Sequence, residues 1–79
     1  MALRVKHLAS RIVQSTNVLH GQVVIEGTRV PVQKILGHLA AGDSVAALAV
    51  DYGVTQEDVL ACLAYAAHVV GGKRPNRAP

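Results

Sequence analysis

The chain has no tryptophan and no phenylalanine, and Tyr52 and Tyr65 are its only large aromatic side chains. A core must therefore be built from Val, Leu, Ile and Ala. A domain of 79 residues buries only ~60% of the surface its unfolded chain exposes. Aliphatic cores of this size commonly gain area by association, so a homodimer is the expectation from size alone. Cysteine occurs once, as Cys62. That excludes an internal disulfide and a cysteine-based zinc site, and it fits a reducing, cytoplasmic setting. No apolar run approaches the ~20 residues of a membrane span. The N-terminus lacks the uninterrupted apolar stretch of a secretory signal. Acidic residues are also few: all five lie between Glu26 and Asp58. Met1 to Ile25 is purely basic, and Lys73, Arg74 and Arg77 make the other end basic. The net charge of +3 and pI near 9.5 permit nucleic acid or an acidic protein as partner.

The first part of the chain lacks helix caps and is rich in Val and Ile. Arg11-Ile12-Val13-Gln14 and Gln22-Val23-Val24-Ile25 read as short strands. Glu26-Gly27-Thr28 is a turn, and Arg29-Val30-Pro31-Val32 can return as a strand held to an edge by Pro31. From Val32 the period changes. Val32, Ile35, Leu36, Leu39 and Ala40 define a helix that Gly42 ends. Asp43 or Ser44 caps a second helix with Val45, Leu48, Ala49 and Tyr52 on its apolar face, ended by Gly53. Thr55 caps a third helix, with Asp58 in a box-like Thr-x-x-Asp, running to about Val70 before Gly71-Gly72.

The third helix is apolar nearly all round. Val59, Cys62, Leu63, Ala66 and Val70 form one stripe; Leu60, Ala61, Ala64 and Ala67 leave the opposite side apolar too. A helix of this kind is buried on two sides. The second face, with Leu60, Ala61, Ala64, Tyr65 and His68, is the expected dimer or partner interface. Leu48 to Val59 has helix-turn-helix spacing, with Gly53 in the turn. As a DNA reader this element would present Thr55 and Gln56 to base edges, but Glu57 and Asp58 repel phosphates. The element is thus open to either use: a reading head or architecture alone.

Arg4, Lys6 and Arg11 suit phosphate contacts from a flexible arm, or serve solubility. Arg29, just past the tight turn, suits an anion or else pairs internally with Glu26 or a helix end. His7, His20, His38 and His68 lack ligand spacing, and Cys62 reads as a buried inert thiol. No phosphate loop, nucleophile elbow or paired-carboxylate set occurs, so neither an enzyme activity, a catalytic residue, a metal nor a cofactor is expected.

Gly21-Gln22-Val23-Val24-Ile25-Glu26-Gly27-Thr28-Arg29-Val30, followed by Leu39-Ala40-Ala41-Gly42-Asp43-Ser44, Asp51-Tyr52, Thr55 to Val59 and Ala61 to Ala67, resembles a known pattern. It is similar to the domain-of-unknown-function family 433, small antitoxin-like proteins of VapB type. The resemblance covers about Arg11 to His68. Val23 stands where a proline is usual, His20 where a glycine is common, and Gly53 where a proline often follows the tyrosine. The resemblance implies a β-decorated or winged helix-turn-helix dimer. It also implies an antitoxin of a type II toxin–antitoxin pair that silences a PIN-like ribonuclease toxin and represses its own operon.

The expectation is a mainly α homodimer: a three-helix helix-turn-helix core over residues 11–70 with short N-terminal strands or a hairpin. Residues 1–10 are expected to be a basic arm and 71–79 a disordered basic tail. Arg4, Lys6, Arg11, Arg29, Thr55 and Gln56 are the expected DNA contacts. The alternative is an interaction module with a helix-turn-helix fold that does not bind DNA.

Overall fold

The computed structural model describes residues 5–15 and 21–72. Arg4, His20 and the tail from Lys73 onward lie outside the described residues. The N-terminal part is sheet: β1 (Val5–Ala9), β2 (Ile12–Ser15) and β3 (Val23–Ile25). It is antiparallel, in the order β1-β2-β3. His7 faces Val13, Ala9 faces Ile12, Ile12 faces Ile25 and Val13 faces Val24. The register slips between His7 and Ala9, a bulge that bends β1 toward the turn. In that turn Arg11 adopts φ 67°, the left-handed region that costs a residue with a Cβ.

Strand alternation splits the sheet into two faces. Ile12 and Ile25 point into the helix-packed core, while Val13 and Val24 lie on the far face and are also buried. The β3 turn is closed by its own chemistry. The Thr28 amide and hydroxyl both donate to the Ile25 carbonyl, at 3.0 and 2.7 Å, and the Thr28 hydroxyl accepts from the Val30 amide. The expected return strand is reduced to one bridge between Val24 and Pro31. Pro31 then starts a helix instead, because its ring presets φ and its missing N–H is an orphan there anyway.

Three helices follow: α1 (Val32–Ala40), α2 (Val45–Tyr52) and α3 (Gln56–Gly71). Their bounds follow the caps. The Ser44 hydroxyl accepts from the Ala47 amide, and α2 ends at Gly53 in the left-handed region, φ 67°. Thr55 and Asp58 form a complete capping box at the start of α3. Helices α2 and α3 pack on each other, and α3 also reaches α1, β1 and β2. The core joins Ile12 and Ile25 of the sheet to Val32, Ile35, Leu48, Ala49, Val59 and Cys62 of the helices.

Three expectations are corrected. The fold is not mainly α with an appended hairpin: a three-stranded antiparallel sheet is one of its two layers, and it supplies Ile12 and Ile25 to the shared core. The homodimer built into that expectation has no support either. Ile12, Ile25, Ile35, Val59 and Cys62 are completely buried within one chain. Packing a sheet against three helices closes the core, so core closure does not call for a second copy. The sheet also begins at Val5, within the segment expected to be an arm.

A sheet that shares the core makes a definite prediction. Ile25→Ala should destabilise the protein by about 2–5 kcal/mol, as for other buried large-to-small changes. Val50→Ala, on the exposed side of α2, should stay within about 0.5 kcal/mol. Urea unfolding of the two variants checks this.

Candidate partner-binding groove

α3 presents two different sides. Val59 and Cys62 turn inward and are fully buried. Burial pushes the Cys62 thiol up, reinforced by the nearby Asp58 charge, to about 11. That thiol is an inert core side chain, as expected. The opposite side is open. Leu60 is half exposed, and Ala64 and Ala67 beside it are exposed.

On that open side α3 forms one wall of a groove of about 570 Å³. Leu60, Ala61, Ala64, Tyr65 and His68 line it from the helix, with Glu57 at its start. The second wall is the β1–β2 turn, residues Leu8, Ala9, Ser10 and Arg11. A further hollow of about 340 Å³, bounded by Leu8, Tyr65, His68, Val69 and Gly72, continues it toward the helix C-terminus. All of the residues expected at an interface therefore meet in one place. Sequence reasoning missed the second wall. The apolar pair Leu8-Ala9 inside a basic stretch was the available signal, but the turn that brings it to α3 carries no glycine to mark it.

Arg11 holds the two walls together. Its Nη1 donates to Asp58 Oδ1 at 2.9 Å, and the Arg11 carbonyl accepts from the Glu26 amide at 2.7 Å. Asp58 Oδ2 accepts from the Thr55 amide at 3.1 Å, and the Thr55 hydroxyl accepts from the Asp58 amide at 3.0 Å. Burial pushes the Asp58 carboxyl up. The Thr55 amide, the Arg11 guanidinium and the Thr55 hydroxyl outweigh it, so the carboxyl sits below its ordinary value.

These contacts rearrange the expected DNA set. Arg11 and Thr55 are brought together, but through Asp58, so the guanidinium and the hydroxyl both serve the α3 N-terminus. Gln56 is exposed beside them, in the first turn. Lys6 is exposed on β1. Arg29 is exposed and belongs to a different surface, beside Val5, Val13 and Val24 on the far face of the sheet. Among the described residues it takes no carboxylate, because Glu26 pairs with His7 at 3.1 Å. His38 pairs with Asp43 at 2.9 Å and tilts against Tyr52 at the α1–α2 corner. Among the described residues no cluster of His, Cys, Asp and Glu could hold a metal. No helix among them is long and apolar enough to cross a membrane.

Fold and groove together define a small α+β protein in which three helices are packed on a three-stranded antiparallel sheet. Residues 12–66 match the family described as "Protein of unknown function (DUF433)", and this chain belongs to that family. The matched span includes the helix side of the groove from Glu57 to Tyr65 and stops short of the Leu8–Arg11 wall. No curated protein matches the chain. Among solved structures it is similar to Rv2018 from Mycobacterium tuberculosis, an X-ray crystal structure, at 38% identity and a TM-score of 0.60. The likeness covers 66% of this chain but only 24% of that one, so the chain spans about a quarter of Rv2018.

Two outcomes test the clamp. Any residue but glycine is strained at φ 67°, so Arg11→Ala should cost about 1 kcal/mol more than Arg11→Gly, which loses the same ion pair but relieves the backbone. Asp58→Ala should cost about 1 kcal/mol near neutral pH. The folded carboxyl titrates below its unfolded counterpart. Its contribution is therefore complete above the unfolded value and lost as pH falls through the folded one. The gap between wild type and Asp58→Ala should close below about pH 4. A gap that stays constant in urea unfolding between neutral and strongly acidic pH would remove the carboxylate from this account.

Proposed function

We propose that the protein is a cytoplasmic antitoxin of a type II toxin–antitoxin pair, which binds and neutralises a PIN-like ribonuclease toxin. The observation that carries the reading is the open groove on α3, where Leu60, Ala61, Ala64, Tyr65 and His68 gather against the Leu8–Arg11 wall. Apolar side chains left exposed in one walled cleft mark a protein-binding surface. The antitoxin role itself comes from the resemblance of the Gly27-Thr28-Arg29, Leu39 to Ser44 and Tyr65-Ala66-Ala67 segments.

Repression of its own operon is the second part of the proposal. The helix-turn-helix from Val45 to Gly71 supports it, and Lys6, Arg29 and Gln56 remain exposed for it. Each cation that neutralises a phosphate steepens the log–log salt dependence of binding by about 0.9. The capping box favours the alternative of an interaction module without DNA binding. It occupies Thr55 and Asp58, and it leaves Glu57 exposed at the end a DNA reader would insert.

The first part predicts a gene for a PIN-like ribonuclease beside its own, and co-expression with that enzyme tests it. The wild-type chain should form a stable complex with that enzyme and suppress its RNA cleavage, and Ala64→Glu should lose the complex. A ribonuclease that stays active beside saturating protein overturns the antitoxin reading. For the second part, binding to the upstream DNA should weaken with salt at a slope near −2 per chain if Lys6 and Arg29 are the phosphate contacts. No binding at low salt, with or without the ribonuclease, leaves the interaction module.

A further inference from the structure

We propose that the α3 groove takes an amphipathic helix of the partner protein, running antiparallel to α3 with an acidic first turn over His68. This deepens the proposed function by naming the partner element, and it rests on the same groove, but it does not require the partner to be a ribonuclease.

The spacing supplies the first argument. Glu57, Leu60, Ala64 and His68 step along α3 at intervals of three and four, Ala61 and Tyr65 flank them, and Gly72 continues the row. The row is straight along the helix axis and about 22 Å long at 1.5 Å per residue. A partner helix of about four turns matches it.

The depth profile is the second. Ala61 and Ala64 make a low floor, while Leu8 and Arg11 rise on one side. Small residues on a helix face let a second helix approach closely.

The backbone is the third. α3 satisfies its own amides and carbonyls, so an extended segment lying along it finds side chains but no main-chain partners. A helix brings its hydrogen bonds with it.

Charge sets the direction. At the α3 N-terminal end Arg11 is matched by Asp58, and Glu57 is exposed. At the far end His68 is exposed, no acid follows it in the chain, and the sequence continues with Lys73 and Arg74. The carbonyls of the last α3 turn add partial negative charge, which an antiparallel neighbour meets with its positive N-terminal dipole. Acidic residues are at home in such a first turn, where the exposed His68 ring offers a hydrogen bond and the sequence ahead is basic rather than acidic.

A second copy of α3 is the competing occupant, and the oligomeric state of the wild type separates it from a partner helix.

The test uses the whole chain and synthetic peptides of about 16 residues. One peptide carries a Leu/Ala face at helical spacing with Glu in its first turn. Its control has the same composition with Glu in the last turn. Fluorescence anisotropy should show the first peptide binding about tenfold tighter than the control, a difference of about 1.4 kcal/mol. Leu60→Glu and Ala64→Glu should each weaken that binding about tenfold or more, while Val50→Glu, on the exposed side of α2, should leave it unchanged. Thermal unfolding of the three variants confirms that each is folded. Equal binding of the two peptides, binding of neither, or an equal loss in Val50→Glu overturns the proposal. So does sedimentation showing a wild-type dimer that Ala64→Glu dissociates, which would give the groove to a second copy. Peptide binding with no effect on any ribonuclease would keep the groove and remove only the toxin.

Discussion

Asp58 is the junction on which the rest of the molecule depends. One carboxylate serves two purposes: one oxygen closes the capping box with Thr55, the other takes the Arg11 guanidinium. The first starts α3 at a fixed residue. The second fixes that start against the β1–β2 turn. Side chains of the pair are 47% and 16% exposed, so as an ion pair alone it is worth little. Its importance is geometric: it couples a helix start to a strained backbone position across a sequence gap of 47 residues. Without it α3 and the sheet still share the core through Ile12, Ile25, Val59 and Cys62, but the Arg11 wall of the groove loses its polar tie to α3.

The same coupling decides what the basic residues are free to do. A cationic N-terminal segment beside a helix-turn-helix invites a picture of arms on phosphate. Among the described residues the positive charge is spread over separate surfaces. Arg11 is spent on Asp58, Lys6 lies on β1, and Arg29 stands on the far face of the sheet. The apolar residues, by contrast, converge. Among the described residues, then, the apolar side chains gather and the cations do not.

Much of this was legible in the sequence, and the part that was not has a physical reason. The three helices could be read from period and caps, because Ser44, Gly53 and Thr55 act within a few residues of themselves. The open side of α3 was legible as excess apolar surface. β1 was not, because a strand is defined by what it pairs with. Val5 to Ala9 has no alternation of its own, and its bulge breaks the period that would betray it. The Arg11–Asp58 contact was invisible for the same reason. Local rules put glycine, not arginine, in a left-handed turn, and only the tertiary contact explains the arginine. The size argument for a homodimer failed on a missing layer: the sheet supplies Ile12 and Ile25 to close the core within one chain, while the second face of α3 stays open.

The absence of tryptophan gives the groove an unforeseen optical property. With Tyr52 set against His38 at the α1–α2 corner and Tyr65 in the groove wall, the chain's intrinsic ultraviolet emission comes from only two phenols. No indole drains their excited state, and one of them faces whatever enters. A tryptophan-bearing guest would draw energy from Tyr65, so occupancy of the groove can be watched on the unlabelled protein.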